Sequence, residues 1–325
     1  MSTRQRGAAL LAAMLTVTLV ATFAAAALWQ QWRSIEVETA ERARVQSAWI
    51  LLGALDWSRL ILIEDGRLGA ESPDHLAEPW AVPLEEARLS TFLAADRNVS
   101  QQADASTDTQ DAFLSGQIID LQSRLNLTNL VQGGTVNESA LAQFGRLFNQ
   151  LGLPASELAT LVQGLRAAQA PAEGGSQAPL MPQTLGQLTW LGVSPATVAV
   201  LAPHATLLPE RKKVNLNTAG VEVLLASIEG LDMAGANKIV AVRETKHFKT
   251  LEDVNALLGQ VTQANSNDHA VSSSYFEVHG RLRLDDVTVQ ERSVVRRRGM
   301  EATTVWRERG AALRANPTMA RENRP

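Results

Sequence analysis

The stretch "RQRGAALLAAMLTVTLVATFAAAALW" (residues 4–29) decides how the rest of the chain is read. Arg4, Arg6 and Gly7 stand directly before an uncharged run, residues 8–29, whose only polar members are Thr16, Thr18 and Thr22. A helix rising about 1.5 Å per residue would carry this run across roughly 30 Å of hydrocarbon. The flanking charges orient it. Arg4 and Arg6 precede it, while Arg33, Glu36, Glu38 and Glu41 follow, so the positive-inside rule keeps the short amino terminus in the cytoplasm and places the bulk of the chain outside. A removable export signal is one reading, because Ala24, Ala25 and Ala26 supply a small-x-small cleavage site. The continuation favours a retained helix. Residues 34–65 contain no proline, and Ile35, Val45, Trp49, Leu52, Leu60 and Ile61 recur at near-helical spacing. One transmembrane and amphipathic helix is expected over residues 8–65.

Composition bounds the function. A chain of 325 residues with 45% hydrophobic and 20% charged residues has room for two domains and a sizeable core. A net charge of −4 argues against nucleic acid as the main partner. No cysteine is present, which excludes disulfides, zinc-thiolate sites and thiol nucleophiles. The histidines (His75, His204, His247, His269, His279) lack ligand spacing, and no phosphate loop, GxSxG elbow or HExxH occurs. No enzymatic chemistry is expected.

A basic leader ending in glycine, an uncharged helix directly after it and an amphipathic continuation resemble a type IV prepilin or pseudopilin. In that family a peptidase cuts after the glycine on the cytoplasmic side and methylates the new amino terminus. The resemblance implies a cut between Gly7 and Ala8, residues 1–7 being the leader. Most pilins carry Glu at the fifth position after the cut, where it pairs with the amine of the preceding subunit; here that position is Ala12. An unpaired carboxylate in hydrocarbon costs a few kcal/mol. Its absence suits a subunit with none ahead of it, at a filament tip. A plain single-pass anchor would also lack it. Leu10, Leu11, Leu15, Leu19 and the small residues Ala24, Ala25, Ala26 and Ala27 are the expected helix-packing positions within a filament.

The remaining sequence narrows the resemblance to the K-type minor pseudopilins of type II secretion. In "FLSGQIIDLQSRLNLTNLV", Gly116, Ile118, Asp120, Gln122 and Arg124 alternate like a strand, and Asn126-Leu127-Thr128-Asn129 ends it. K-type members show a very similar run. An echo, Asn215-Leu216-Asn217-Thr218, lies 89 residues on. Each copy precedes a helical pattern, and Asn and Thr are good helix caps. Residues 126–270 are read as an all-helical insert of two helix-hairpin units (SAM-like), joined by an Ala/Pro/Gly/Ser-rich linker at about 167–183. Residues 66–125 give the first part of a pilin-like sheet, residues 271–298 its returning strands, and residues 299–325 a disordered tail. Phe276, Val278, Leu282 and Leu284 face one way and Glu277, His279, Arg281 and Arg283 the other. Arg296, Arg297 and Arg298 are read as exposed edge charge. The expected fold is α+β: a long amino-terminal helix on a small antiparallel sheet, with a large helical insert.

Residues 214–245 also resemble the helix-hairpin-helix of bacterial DNA-uptake receptors, which makes a membrane-anchored DNA-binding protein the alternative. DNA-binding hairpins usually turn at Gly-hydrophobic-Gly; this one turns at Gly230-Leu231-Asp232, placing a carboxylate where a phosphate would approach. Residues 214–253 hold four Lys/Arg against six Asp/Glu, so nucleic-acid binding is not expected.

The K-type resemblance implies I-type and J-type minor pseudopilins as partners, processing by prepilin peptidase, and contact at the tip with secreted substrates or the outer-membrane secretin. Some members bind calcium, through an acidic Trp-x-Asp-x-Asp stretch that is replaced here by Gln163-Gly164-Leu165-Arg166-Ala167. No cofactor is therefore expected; Asp104, Asp108 and Asp111 are the candidate oxygen ligands if calcium binds.

Overall fold

A computed structural model describes residues 5–67, 69, 72–91, 112–169, 179–259, 262–284 and 287–310. Helix α1 (Gln5–Gly66) is continuous over 62 residues. Ala and Leu dominate its first half, and its threonines do not interrupt it, because Thr16, Thr18 and Thr22 turn their hydroxyls back to the carbonyls of Ala13, Leu15 and Leu19 at 2.8–2.9 Å. Each hydroxyl is thereby satisfied without water.

Burial along α1 begins only at Ser47. The side chains that meet the sheet are Ser47, Leu51, Leu55, Ser58 and Leu62, a stripe of i, i+4, i+8, i+11 and i+15. The apolar set picked out by spacing points elsewhere: Ile35, Val45, Trp49 and Leu60 are all more than half exposed. Serine disguises the true core face. Ser47 and Ser58 donate to the carbonyls of Ala43 and Ala54, which cancels their polarity and leaves two small side chains against the sheet.

The sheet has five antiparallel strands in sequential order: β1 (Leu84–Arg88), β2 (Ala112–Asp120), β3 (Tyr275–Leu284), β4 (Val287–Arg298) and β5 (Glu301–Gly310). Gly116 pairs with Gly280, flanked by Leu114 opposite Leu282 and Ile118 opposite Val278. The glycine pair makes a dent in the apolar face. A Cβ on Gly280 would stand 3.1 Å from Leu51 Cδ2, so the helix is seated there by the absence of side chains. Above this point Leu55, Leu62, Trp80, Phe276, Val278 and Val295 form one core cluster; below it Leu51, Ala112, Leu114, Leu282 and Leu284 form another.

The sheet corrects three expectations. Strand β2 stops at Asp120, because that carboxylate accepts the backbone N–H of Gln122 at 2.7 Å and starts a 3-10 turn; Gln122 and Arg124 lie beyond it. Residues 301–310, assigned to the tail, form β5. Gly299, at φ 57°, and Met300 make a two-residue loop between paired Arg298 and Glu301, and "TTVW" has strong strand propensity. Arg297 is buried and not edge charge.

The insert leaves the sheet after Asp120 and returns at Tyr275. It contains α2 (Glu138–Gln150), α3 (Ala155–Gln169), α4 (Pro195–Leu201), α5 (Val221–Ser227), α6 (Met233–Thr245) and α7 (Leu251–Leu258). It is not purely helical. Two-residue bridges join Leu125–Asn126 to Ala205–Thr206 and Val214–Asn215 to His269–Ala270, both parallel. The two Asn-Leu repeats open alike, with Asn126 Oδ1 accepting from Thr128 N at 3.2 Å and Asn215 Oδ1 from Asn217 N at 3.0 Å. They do not cap the following α-helices: Asn137 caps α2 and Gly220 precedes α5. The two units share a single core in which Phe144, Leu147, Leu161, Leu188, Leu224 and Ile239 are nearly or fully buried. Arg146 reinforces the seam by donating to the carbonyl of Ala226 at 2.8 Å.

Candidate functional site

Two regions hold the residues singled out by sequence. The first is the membrane half of α1. Ala8, Leu10, Leu11, Ala12, Leu15, Leu19, Ala24, Ala25, Ala26 and Ala27 are all exposed, and Gly7 lies within the same helix. This is the one described helix long and apolar enough to cross a membrane. Trp29 and Trp32 sit together at its outer end, ring centroids 5.7 Å apart, as aromatic side chains do at a lipid–water boundary.

The second region is the junction between insert and sheet, where three of the motif residues meet. Asp120 Oδ2 accepts from Thr218 Oγ1 (2.6 Å), Ser273 Oγ (2.6 Å) and Asn215 Nδ2 (3.1 Å). Burial pushes this carboxyl above its ordinary pKa, against the pull of those donors. Gln122 works beside it: its Oε1 accepts from Ser274 N at 2.8 Å and its Nε2 donates to Lys213 O at 3.1 Å. Asn126, Asn129 and Asn217 each bind backbone. Asn126 Nδ2 donates to Glu210 O, Asn129 holds both N and O of Lys212, and Asn217 holds both N and O of Phe248. These asparagines fasten loops, a demand that explains the repeated Asn better than helix capping does. Arg124 and Gly230 stand apart from the network; Gly230 adopts φ 74° in the hairpin turn.

Sequence reasoning missed the other half of the junction. Arg297 donates to Asp74 through Nη2 at 2.5 and 2.7 Å, to Ser273 O at 3.0 Å, and to Asp65 at the end of α1. Ser273 N donates to Asp74 Oδ2 at 2.6 Å. A continuous chain of buried polar contacts therefore links α1, through Arg297, Asp74, Ser273 and Asp120, to Thr218 of the insert. Asp65, Asp74 and Glu78 bring carboxylate oxygens within 4.8 Å of one another, and Arg297 supplies the positive charge to two of them. Glu78 accepts from Trp80 Nε1 at 2.6 Å and from His75 N, and burial pushes its carboxyl up to about 7. The contacts join residues up to 232 positions apart, so no local pattern announces them. Asp104, Asp108 and Asp111 lie outside the described residues.

Asp232 caps α6 by accepting Gly235 N at 2.7 Å, which fills the helix end with a carboxylate.

A long exposed apolar helix, an antiparallel sheet across its outer part and a bulky insert between sheet strands match the arrangement expected of a minor pseudopilin. Two family models described as "Type II secretion system (T2SS), protein K" match residues 123–210 and 214–272, the two halves of the insert. "Type II secretion system protein K" of Pseudomonas aeruginosa is 28% identical over 310 residues, covering 87% of this chain and 86% of that one. The protein of the same description from Pectobacterium carotovorum subsp. carotovorum is 24% identical over 351 residues, covering 98% and 100%. The crystal structure of the GspK–GspI–GspJ complex from the type 2 secretion system of enterotoxigenic Escherichia coli contains a chain of like fold, with TM-score 0.61 and 18% identity, covering 84% of this chain and 99% of that one. Together these matches support reading the chain as a minor pseudopilin like the type II secretion system protein K. The family and the single apolar helix fit a single-pass inner-membrane protein.

Proposed function

We propose that this protein is a non-enzymatic subunit at the tip of the type II secretion pseudopilus, pairing helix to helix with I-type and J-type minor pseudopilins and limiting further growth of the filament. The observation that carries the reading is the asymmetry of α1. Its amino-terminal half is bare and apolar, while its carboxy-terminal end is packed against the sheet, from which the insert emerges. A subunit of that shape has a filament-packing surface below and a bulky obstacle above. Ala12 fits the same position, because a subunit with none ahead of it has no amine for a carboxylate to neutralise. Trp49 and Leu60, turned away from the sheet, extend the packing surface beyond the membrane. The solved complex that contains a chain of like fold also holds GspI and GspJ, which supports the choice of partners.

In this reading the amino terminus is cytoplasmic, prepilin peptidase cuts between Gly7 and Ala8, and the insert stands in the periplasm facing secreted substrates or the secretin. No cofactor is needed for this role. The chain has no native cysteine, so introduced ones report cleanly. Leu19→Cys and Trp49→Cys should crosslink to I-type or J-type subunits in intact cells, while Glu138→Cys on the insert should not. Crosslinks from the insert and none from the helix would refute the arrangement.

A further inference from the structure

We propose that the cleft between the insert and the outer face of the sheet binds an extended peptide that carries a carboxylate beside bulky apolar side chains. The cleft encloses about 780 Å³, within the range of ligand clefts. Its insert wall presents Met181, Pro182, Val198, Ala199 and Leu207 among several threonines, with Arg124 just beyond the end of β2; its sheet side carries Glu277, Arg292, Val294 and Trp306. The two arginines are the decisive feature. Arg124 and Arg292 have side chains only 18% and 30% exposed. Among the described residues neither guanidinium makes a hydrogen bond. Their shared counter-charge is Glu277, which stands 3.3 Å from Arg292 Nε, 3.9 Å from Arg124 and 3.1 Å from His279 Nε2. Glu308, at the rim, lies 3.7 Å from Arg292 Nη2.

Glu277 thus stands opposite three basic groups, with Glu308 beside Arg292 alone, and Arg292 Nε is a buried nitrogen without a hydrogen bond. Buried donors without acceptors are costly, and a carboxylate fills the planar fork of an arginine two bonds at a time. The Arg292 guanidinium lies 4.8 Å from the centroid of the Trp306 ring, which holds its plane. A wholly apolar ligand would leave the arginines unfilled, and a small carboxylate would leave the apolar wall wet. The geometry asks for both in one molecule. An extended chain fits best because β5, which borders the cleft through Val305, Trp306 and Glu308, is hydrogen-bonded to a neighbour on one side only among the described residues. Its outer backbone groups are free to pair with another chain.

The test uses the full chain in lipid nanodiscs and a fluorescein-labelled peptide, Gly-Ser-Gly-Ser-Ala-Leu-Phe, with either a free carboxylate or a carboxamide at its end. Anisotropy should show micromolar binding of the acid, with the amide weaker by about tenfold or more. Arg124→Gln should weaken the acid to the level of the amide. Ala199→Trp, an exposed position on α4 facing the cleft, should block binding without touching an arginine or the fold. Equal binding of acid and amide, an unaffected Ala199→Trp variant, or no binding up to about 1 mM would each overturn the proposal, the last meaning that water alone fills the arginine donors.

Discussion

Replacing Asp120 by alanine strikes the centre of the junction, and the cost can be worked from its partners. Gln122 N and Ser273 Oγ donate to Asp120 alone, at 2.7 and 2.6 Å. Asn215 Nδ2 would keep Asp74 O and Ser273 Oγ, and the Thr218 hydroxyl would keep Asn215 O at 3.4 Å. Two buried donors are therefore orphaned outright. At about 1–3 kcal/mol each, the loss is about 2–6 kcal/mol. Burial already strains the Asp120 carboxylate, and alanine relieves that cost, which brings the expectation to about 2–4 kcal/mol. For a folded region of this size that lowers the melting temperature by about 5–15 °C. The assay is tryptophan fluorescence during heating of the full chain in detergent, with circular dichroism as a second probe. A shift smaller than about 2 °C would refute the claim that this network holds the insert on the sheet.

Glu78 gives a pH dependence with a definite sign. Its folded pKa is raised from 4.5 to about 7, so the folded state holds a proton that the unfolded state has released; its contribution is complete below pH 4.5 and is lost as pH rises to 7. Glu78→Gln keeps an acceptor for Trp80 and should stabilise the protein at pH 8 by up to about 3 kcal/mol while doing little at pH 4.5, measured by denaturant unfolding; equal effects at both values contradict it. Gly280→Val should cost about 1–3 kcal/mol by pushing against Leu51, and Leu51→Ala in the same chain should recover part of that loss, whereas simple addition would mean the two do not meet. Millimolar calcium should leave the melting temperature unchanged; a rise of several degrees would identify a calcium site. Duplex DNA should not bind the full chain in a salt-dependent manner, and micromolar affinity would revive the hairpin as a DNA reader.

What could be read from sequence was local. The uncharged run after Gly7, the alternation up to Asp120, the Asn-Leu repeats and the helices of the insert each depend on residues within a few positions of one another. The sheet-facing side of α1 was hidden because Ser47 and Ser58 sit in its stripe and satisfy themselves on their own helix, while Trp49 and Leu60 advertise a face that the monomer leaves bare. Arg297 looked like one of three edge charges because its partners, Asp65 and Asp74, lie more than 200 residues away. Strand β5 was lost among charged residues, since only pairing with β4 gives "TTVW" a place. Asp120 was noticed in a strand and Asn215 and Thr218 in a capping repeat; that all three meet at the Asp120 carboxylate is a fact of tertiary structure.

The intact mass and amino-terminal residue of the protein purified from its own membranes test the central claim most directly. A chain beginning at a methylated Ala8 is the predicted result, and it would tie this helix to prepilin-type processing and filament assembly. A chain beginning at Met1 or Ser2 would make the helix a permanent anchor, and one cut just after the alanines at 24–27 would make the protein a soluble export; either would contradict a place in the pseudopilus.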